Sequence, residues 1–387
     1  MGGWVRDYLS GLTPKELDIA TDLKPDEVKA IFPRSIMVGE KYGTVRVRIE
    51  ESGEKDSMWE VTTLREDGGY GDGRRPDNVF FGTNIEEDLA RRDFTINSMA
   101  IDESGSLIDP HGGITDLESE IVRCVGDSSE RIGEDGLRII RAFRFLDNGN
   151  GGLRSLDADL SNAISSNLET LNNISRERIW SELKLILSGT KPSEIVRLMQ
   201  RHGLIEKILK GIETTSEITL SRRYCVNLAL ICSIDKSDGG ELSDLLKERL
   251  RLSREEADSV KFLHDRKGVE LDISDGSARR FRVALPQNMQ EEILDYLACL
   301  GEDVSRFKLA LRDIGDLGAG NSPLVDGNLL SIRTGLKPGK RLGRLKAWLH
   351  RIQIEEDILE KEELLSRLVE MEWENSEPED WPVLSWP

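Results

Sequence analysis

In the stretch ELDIAT, Glu16 and Asp18 alternate with the apolar Leu17 and Ile19. Successive side chains on a β-strand point to opposite faces, so this spacing predicts two carboxylates side by side on one face. Like charges held together repel unless a cation lies between them, and hard carboxylate oxygens suit Mg²⁺ held partly by substrate phosphates. A third acid, Glu60, opens the run EVTTLR in another predicted strand. Three acids on neighbouring strands are the parts for two-metal phosphoryl transfer, in which the ions serve the attacking and the leaving oxygens. A solvated pair of surface acids has the same spacing, and the acids alone leave that reading open. Ahead of them, Gly2 and Gly3 precede WVRDYLSGL, which reads as a short helix with Val5, Leu9 and Leu12 on one side. Backbone N–H groups at such a helix start face an incoming anion, and Arg6 is expected in the first turn as a charged donor. A glycine turn followed so closely by a same-face acid pair reads as a phosphate cradle beside a metal site.

The run EDGLRIIRAFRF repeats charge every three residues, at Asp135, Arg138, Arg141 and Arg144. On an α-helix each step of three lags by about 60°, which makes a slanting stripe in which neighbours touch. Asp135 and Arg138 then form an acceptor beside a donor fork. Cytosine and adenine both offer an amino donor next to a ring-nitrogen acceptor, whereas uracil and guanine offer a ring N–H beside a carbonyl. Such a pair admits C and A and rejects U and G, with Arg141 and Arg144 left for phosphates. The alternative is an ordinary solvated helix face with an intrahelical ion pair. In LARRDFTINSMAI, Arg92 is the better ligand candidate by its charge, while Asp93 and Asn97 suit a structural role that fixes a loop against a sheet at least as well as ligand contact.

These side chains need elements to position them. Up to about residue 125, TVRVRI, WEVTTL, NVFFGT and EIVRCVG read as strands among turns, so this region is α/β. Between two of them, EDGGYGDGRRPD reads as a mobile loop. From ERIGEDGLRIIRAFRFL onward the spacing is helical, with Ile132, Leu137, Ile140, Phe143 and Leu146 recurring at threes and fours. Breaks between helices fall at 147–152, 188–193, 235–240 and 315–323. The acidic, Pro-interrupted tail ENSEPEDWPVLSWP is expected to be loosely ordered.

Composition narrows the function classes. The chain has 387 residues, 38% of them hydrophobic, enough for several domains with real cores. A net charge of −19 argues against a general nucleic-acid coat, so any RNA contact must be local. Cys124, Cys225, Cys232 and Cys299 form no CxxC pair and have no histidines at metal spacing, which argues against zinc and for a reducing compartment. The longest apolar run, CVNLALICSI, is too short for a membrane span, and no signal sequence opens the chain, so it reads as cytoplasmic.

Together the motifs resemble those of the class II tRNA nucleotidyltransferases, the CCA-adding enzymes, and of their relatives the bacterial poly(A) polymerases. The glycine pair with VRD and ELDIAT is similar to family motif A, EVTTLR to motif B, and RRDFTINSMA to motif C. EDGLRIIRAFRF resembles the base-selecting motif D and ISRERIWSELKLIL the motif E helix, so five motifs stand in order across residues 2–187. PLVDGNLLSIRTGLKPGKRLGRLKAWLHRIQIE is similar to the family's tail region, while about 205–315 is recognisable only as helical.

The resemblance implies an α+β architecture. Residues 1–125 would form a nucleotidyltransferase-fold head with a mixed sheet and helices, followed by an all-α neck at 126–190, body at 191–315 and tail at 316–387. It implies a Mg²⁺-dependent, protein-templated enzyme that adds or repairs the 3′-terminal CCA of tRNA from CTP and ATP. In that reaction the tRNA 3′-hydroxyl attacks the α-phosphate and pyrophosphate leaves. By motif position, Gly3 and Arg6 would bind nucleotide, Glu16 and Asp18 would hold Mg²⁺, and Glu60 would be the third acid. Arg92, Asp135, Arg138, Arg141 and Arg144 would contact the incoming CTP or ATP. The helical domains would grip the tRNA acceptor arm, and the basic run Arg333, Lys337, Lys340, Arg341, Arg344 and Lys346 is the RNA-contact candidate, with a solvated helix surface as the alternative. VGEKYGTVRV is similar to the GxxHGT stretch of CCA-adding enzymes, with Tyr42 in place of the His, and favours CCA addition.

Two departures stand out. Glu16 stands where the family usually has Asp; the longer side chain shifts metal geometry but keeps the ligand type, so activity is expected to persist. Only Met1 precedes the glycine pair where relatives usually have a helix and a strand, so the native product is expected to begin earlier, the head here lacking its first strand. Competing functions are a poly(A) polymerase, an A-only or CC-only enzyme, and an RNA-binding protein impaired in catalysis. His111, His202, His264 and His350 are too few and scattered for an appended His/Asp phosphohydrolase domain.

Overall fold

The computed structural model describes residues 1–14, 17–38, 43–49, 57–67, 79–371 and 373–387. It divides into two compact units, Met1–Glu217 with Ile234–Lys236 and Glu241–Ala257, and Ile218–Ser233 with Ser237–Gly240 and Asp258–Pro387.

The first unit opens with α1 (Gly3–Leu9), β1 (Asp18–Thr21), α2 (Pro25–Ile31), β2 (Ser35–Met37), β3 (Thr44–Ile49) and β4 (Ser57–Thr63). The four strands form one mixed sheet in the order β1-β4-β3-β2, with β1 parallel to β4 and the other pairs antiparallel. The alternation in TVRVRI decides its faces. Val45 and Val47 are buried and pack with Val61 and with Val28 of α2, while Thr44, Arg46 and Arg48 take the opposite face. Helix α2 is set by Pro25 at its first position and by Glu27, whose carboxylate accepts from the Lys24 N–H at 2.7 Å.

Strands β5 (Arg65–Asp67) and β6 (Val79–Phe81) pair antiparallel. Of the expected loop EDGGYGDGRRPD, Glu66 and Asp67 belong to β5, and the rest lies outside the described residues. The chain continues through α3 (Ile85–Ala90), β7 (Ala100–Ile101), β8 (Leu107–Ile108), α4 (Gly113–Glu118), β9 (Ile121–Val122), α5 (Ser128–Glu134), α6 (Leu137–Leu146) and β10 (Ser155–Leu156). EIVRCVG is thus a strand only at Ile121–Val122, which pairs with β10.

The spacing from Ile132 to Leu146 predicts continuous helix, but the structure breaks it at Asp135 and Gly136. Gly136 lies against Thr170, where an added Cβ would meet the Thr170 Oγ1 at 2.7 Å and its carbonyl oxygen at 2.9 Å. Gly136 itself keeps a helical backbone; the residue that leaves the helix is Asp135, with φ −152° and ψ 104°. Helices α7 (Ala158–Ser166), α8 (Arg176–Leu187), α9 (Pro192–Arg201) and α10 (Leu204–Ile208) follow, and α6 packs along α8.

The chain goes on through α11 (Tyr224–Ile231), α12 (Gly239–Leu250), α13 (Arg254–His264), α14 (Asp275–Ala284), α15 (Gln287–Cys299), α16 (Ser305–Asp313), α17 (Gly327–Thr334), α18 (Lys340–Glu356) and α19 (Lys361–Ser366). One core of the second unit joins Leu330, Leu345, Leu349 and Leu364 to Trp381. The tail is not loose as expected: Trp381 and Trp386 are each only 3% exposed. The Trp386 ring meets Phe281 edge-on at 4.9 Å, and Arg266 Nη2 donates to the Trp386 carbonyl at 2.9 Å. Burial of two indoles outweighs the acidic composition around them. Cys124, Cys225 and Cys232 are buried and Cys299 is half-buried. Among the described residues no helix is long and apolar enough to cross a membrane.

Candidate active site

Parallel pairing of β1 with β4 sets Asp18 opposite Glu60, and antiparallel pairing of β4 with β3 sets Glu60 opposite Arg46. Directly opposed residues share a face, so the two carboxylates stand on neighbouring strands about 4.8 Å apart. Arg46 Nε and Nη2 both donate to Glu60 Oε1, at 3.2 and 2.5 Å. Strand β1 begins only at Asp18, and Glu16 lies outside the described residues. Among the described residues no three His, Cys, Asp or Glu side chains gather as a metal cluster. The two acids that are described are hard oxygen donors in register, and they fit a hard cation in type and adjacency.

Gly2 has φ +66°, a conformation that L side chains rarely adopt, and an added Cβ would lie 2.4 Å from Arg92 Nη1. Its N–H donates to the Met99 carbonyl at 2.8 Å. A Cβ at Gly3 would meet only ordinary contacts near 3.7 Å. In α1, Val5 is buried, but Leu9 is exposed and Leu12 half-buried, so the expected apolar side is reduced to one residue. Arg6 is the fourth residue of this seven-residue helix, where its first and last turns meet. Its Nη1 donates to Asn97 Oδ1 at 2.6 Å, its Nη2 to Asp7 Oδ1 at 2.6 Å, and its guanidinium sits 4.9 Å from the Phe145 ring centre. Arg92 pairs with Asp88 at 3.3 Å, and its buried Nε has no hydrogen-bond partner in the protein. A buried donor left over beside a glycine turn suits an anion.

The base-reading stripe is rearranged. Asp135 is not on a helix with Arg138: it is an extended residue between α5 and α6. Its Oδ1 accepts from the Leu137 N–H at 3.0 Å and its Oδ2 from Arg178 Nη2 at 2.6 Å. Arg138 is buried, pairs with Glu134 and donates from Nη1 to the Arg131 carbonyl at 2.8 Å. Asp135 and Arg138 are close in sequence, but each has another partner.

Further along α6, Arg141 Nη2 pairs with Asp93 at 2.5 Å and its Nη1 with Glu182 at 3.3 Å, while Arg144 pairs with Glu182 at 2.9 Å. Burial alone would raise the Asp93 carboxyl, but the Arg141 charge and hydrogen bonds from Asn97, Arg141 and the Phe94 N–H hold it at about 2. Burial and neighbouring Arg141 bring Arg144 down to about 10 against the pull of Glu182. Asp93 accepts from Asn97 Nδ2 at 3.1 Å and pairs with Arg141, so it ties its segment to α6 rather than to a sheet. Sequence reading missed Glu182 and Arg178. Glu182 had a signal, since it occupies a core position of α8 in line with Ile179, Leu183 and Ile186, where an acid needs a buried partner.

In the second unit the basic run is largely engaged. Arg341 Nη2 donates to the Ser376 carbonyl at 3.0 Å. Arg344 donates to the carbonyls of Pro378, Glu379 and Trp381 at 3.0, 2.8 and 3.1 Å. Lys340 pairs with Glu379, and Arg333 with Glu362 at 3.5 Å. Lys337 is exposed and Lys346 half-buried. The acidic tail thus takes three cations that sequence spacing offers to RNA.

Comparison with known proteins bears on this geometry. Residues 1–123 match the family described as the poly A polymerase head domain, and residues 155–215 match the probable RNA and SrmB-binding site of polymerase A. A CCA-adding enzyme of Geobacillus thermodenitrificans is 46% identical over 204 residues, which cover 53% of this chain and 48% of that protein. One from Bacillus licheniformis is 40% identical over 227 residues, 58% of this chain and 54% of that protein. The chain spans about half the length of the curated relatives it matches. The crystal structure of the Bacillus stearothermophilus CCA-adding enzyme in complex with CTP superposes with a TM-score of 0.77 at 26% identity, covering 95% of this chain and 92% of that one. The Thermotoga maritima CCA-adding enzyme complexed with tRNA shares the fold, with a TM-score of 0.65 at 22% identity over 95% of this chain and 90% of that one. The chain thus resembles the CCA-adding enzymes through residues 1–123, which match the poly A polymerase head domain, residues 155–215, which match the RNA-binding segment, and a fold shared with a solved CCA-adding enzyme.

Proposed function

We propose that this protein is a tRNA nucleotidyltransferase that builds or repairs the 3′-terminal CCA from CTP and ATP. The observation that carries the reading is the registered pair Asp18 and Glu60 on one open sheet face, within a head matching the polymerase family. In the reaction the RNA 3′-oxygen bonds to the α-phosphorus, the α–β anhydride breaks, pyrophosphate leaves and the hydroxyl proton passes to water. Mg²⁺ held by Glu16 and Asp18, with Glu60 as the third acid, would supply charge neutralisation at the α-phosphate and a more acidic hydroxyl. Gly3, Arg6 and Arg92 bind the nucleotide, the unpartnered Arg92 Nε donating to a phosphate oxygen. Asp135, held by Arg178 and the Leu137 N–H, accepts from the amino group of C or A, and Arg138 donates to the ring nitrogen. Arg141 and Arg144 keep positive potential beside the triphosphate.

In this reading residues 1–125 are the head, 126–190 the neck, 191–315 the body and 316–387 the tail. The partner is the tRNA acceptor arm, and the work is done in the cytoplasm. Of the basic run, Arg333, Lys337 and Lys346 serve RNA more readily than Lys340, Arg341 and Arg344, which the tail engages.

The test is incubation with tRNA lacking CCA and each nucleoside triphosphate singly and in pairs. Two C additions followed by one A are expected, and Asp18→Ala should abolish turnover while RNA binding persists. Absence of any C or A incorporation overturns the reading; a long A tract replaces it with a poly(A) polymerase.

A further inference from the structure

The sheet face that carries the acids also carries a cationic strip. Register sets Ile36, Arg46, Glu60 and Asp18 in one row across four strands. Two residues further along β3, Arg48 stands opposite Met58 on the same face. This face is open: Arg46 and Glu60 keep 40% and 34% of their side-chain surface, Met58 and Ile36 are 50% and 62% exposed, and Arg48 is exposed. The opposite face is the one covered by α2. A row of carboxylates repels a polyanion, so an RNA end reaching Asp18 needs cations at the row's border.

Resting on the nucleotidyltransferase reading, we propose that Arg46 and Arg48 hold successive phosphodiesters of the RNA strand being extended, with Met58 and Ile36 as apolar flanks for its sugars and bases. Alternate residues of a strand lie roughly 7 Å apart, the scale of one nucleotide step. Arginine's planar fork matches phosphate geometry and binds it bidentately. The Arg46–Glu60 pair does not prevent this. A half-exposed ion pair is weakly held, whereas a guanidinium–phosphate contact is charge-assisted at both ends. When the phosphate takes Arg46, the Glu60 carboxylate loses its guanidinium partner on the face it shares with Asp18.

The experiment measures binding without turnover. Anisotropy titration with a labelled tRNA lacking CCA, with no nucleotide present, is repeated from about 50 to about 200 mM salt, where each phosphate contact contributes close to one unit of log–log slope. Arg46→Gln and Arg48→Gln are each expected to weaken binding several-fold and flatten the slope by about one, and the double variant by about two. Arg46→Lys should keep the slope. Lys29→Gln, on α2 against the other face of the sheet, removes the same charge and should leave it unchanged. Matched urea midpoints establish that the variants fold. An unchanged slope in the double variant overturns the proposal, and so does a rise in the CTP KM alone, which would assign the strip to the nucleotide or to Glu60. A protein that binds RNA through this strip yet adds no nucleotide sinks the enzyme reading and leaves this inference standing.

Discussion

Arg141 places two of its nitrogens, Nε and Nη2, on a single oxygen of Asp93, at 2.8 and 2.5 Å. The bond ties the segment after α3 to the middle of α6, two stretches that meet only through tertiary folding. Removing the acid leaves a guanidinium among buried neighbours sharing Glu182 with Arg144. Asp93→Ala is therefore expected to cost about 3–5 kcal/mol in urea unfolding of the first unit. A loss under 1 kcal/mol would mean that Arg141 finds another partner.

The same pair makes stability depend on acid. The Asp93 carboxyl sits at about 2 when folded, below its ordinary 3.8. A depressed folded value stabilises above the unfolded value and is lost as pH falls through the folded one, here from about 4 to about 2. The contribution is about 2 kcal/mol. Urea midpoints of wild type and Asp93→Asn should differ above pH 4 and converge toward pH 2. A constant offset contradicts the assignment.

The two N-terminal glycines are not equivalent. Gly2→Ala meets both a positive φ and the Arg92 guanidinium, and is expected to lose about 1–3 kcal/mol and raise the CTP KM. Gly3→Ala has room, so its stability should stay within about 0.5 kcal/mol of wild type. Equal losses in the two variants would remove the steric argument.

Arg344 holds three consecutive-region carbonyls of the tail. Arg344→Ala should free the segment around 373–381, seen as new proteolytic cuts there and a red shift in tryptophan emission as Trp381 meets water. An unshifted spectrum would show that indole burial alone retains the tail.

Much of this was legible in residue order. The alternation of TVRVRI marked a strand, and EVTTLR put Glu60 on a further strand, because strand period depends on local geometry alone; the structure bears out both strands. The break before α6 was not legible, because it falls at Asp135, which is extended and pairs with Arg178, a partner distant in sequence. The same limit hid the partners of Asp135 and Arg138: spacing gives neighbours on a helix, but Arg178 and Glu134 compete for them. The acidic tail misled for a different reason, since composition averages over side chains and two buried tryptophans decide its order.

The row from Ile36 to Asp18 has one more consequence. Because strand side chains alternate, sliding β3 by a single residue against β4 would turn Arg46 and Arg48 into the valine core and bring Val45 or Val47 beside the carboxylates. Two guanidinium groups cannot be buried there without counter-ions. Charge therefore acts as a proofreader of strand alignment: a misregistered head is too unstable to accumulate, and chains that reach the folded state carry a correctly assembled acid row.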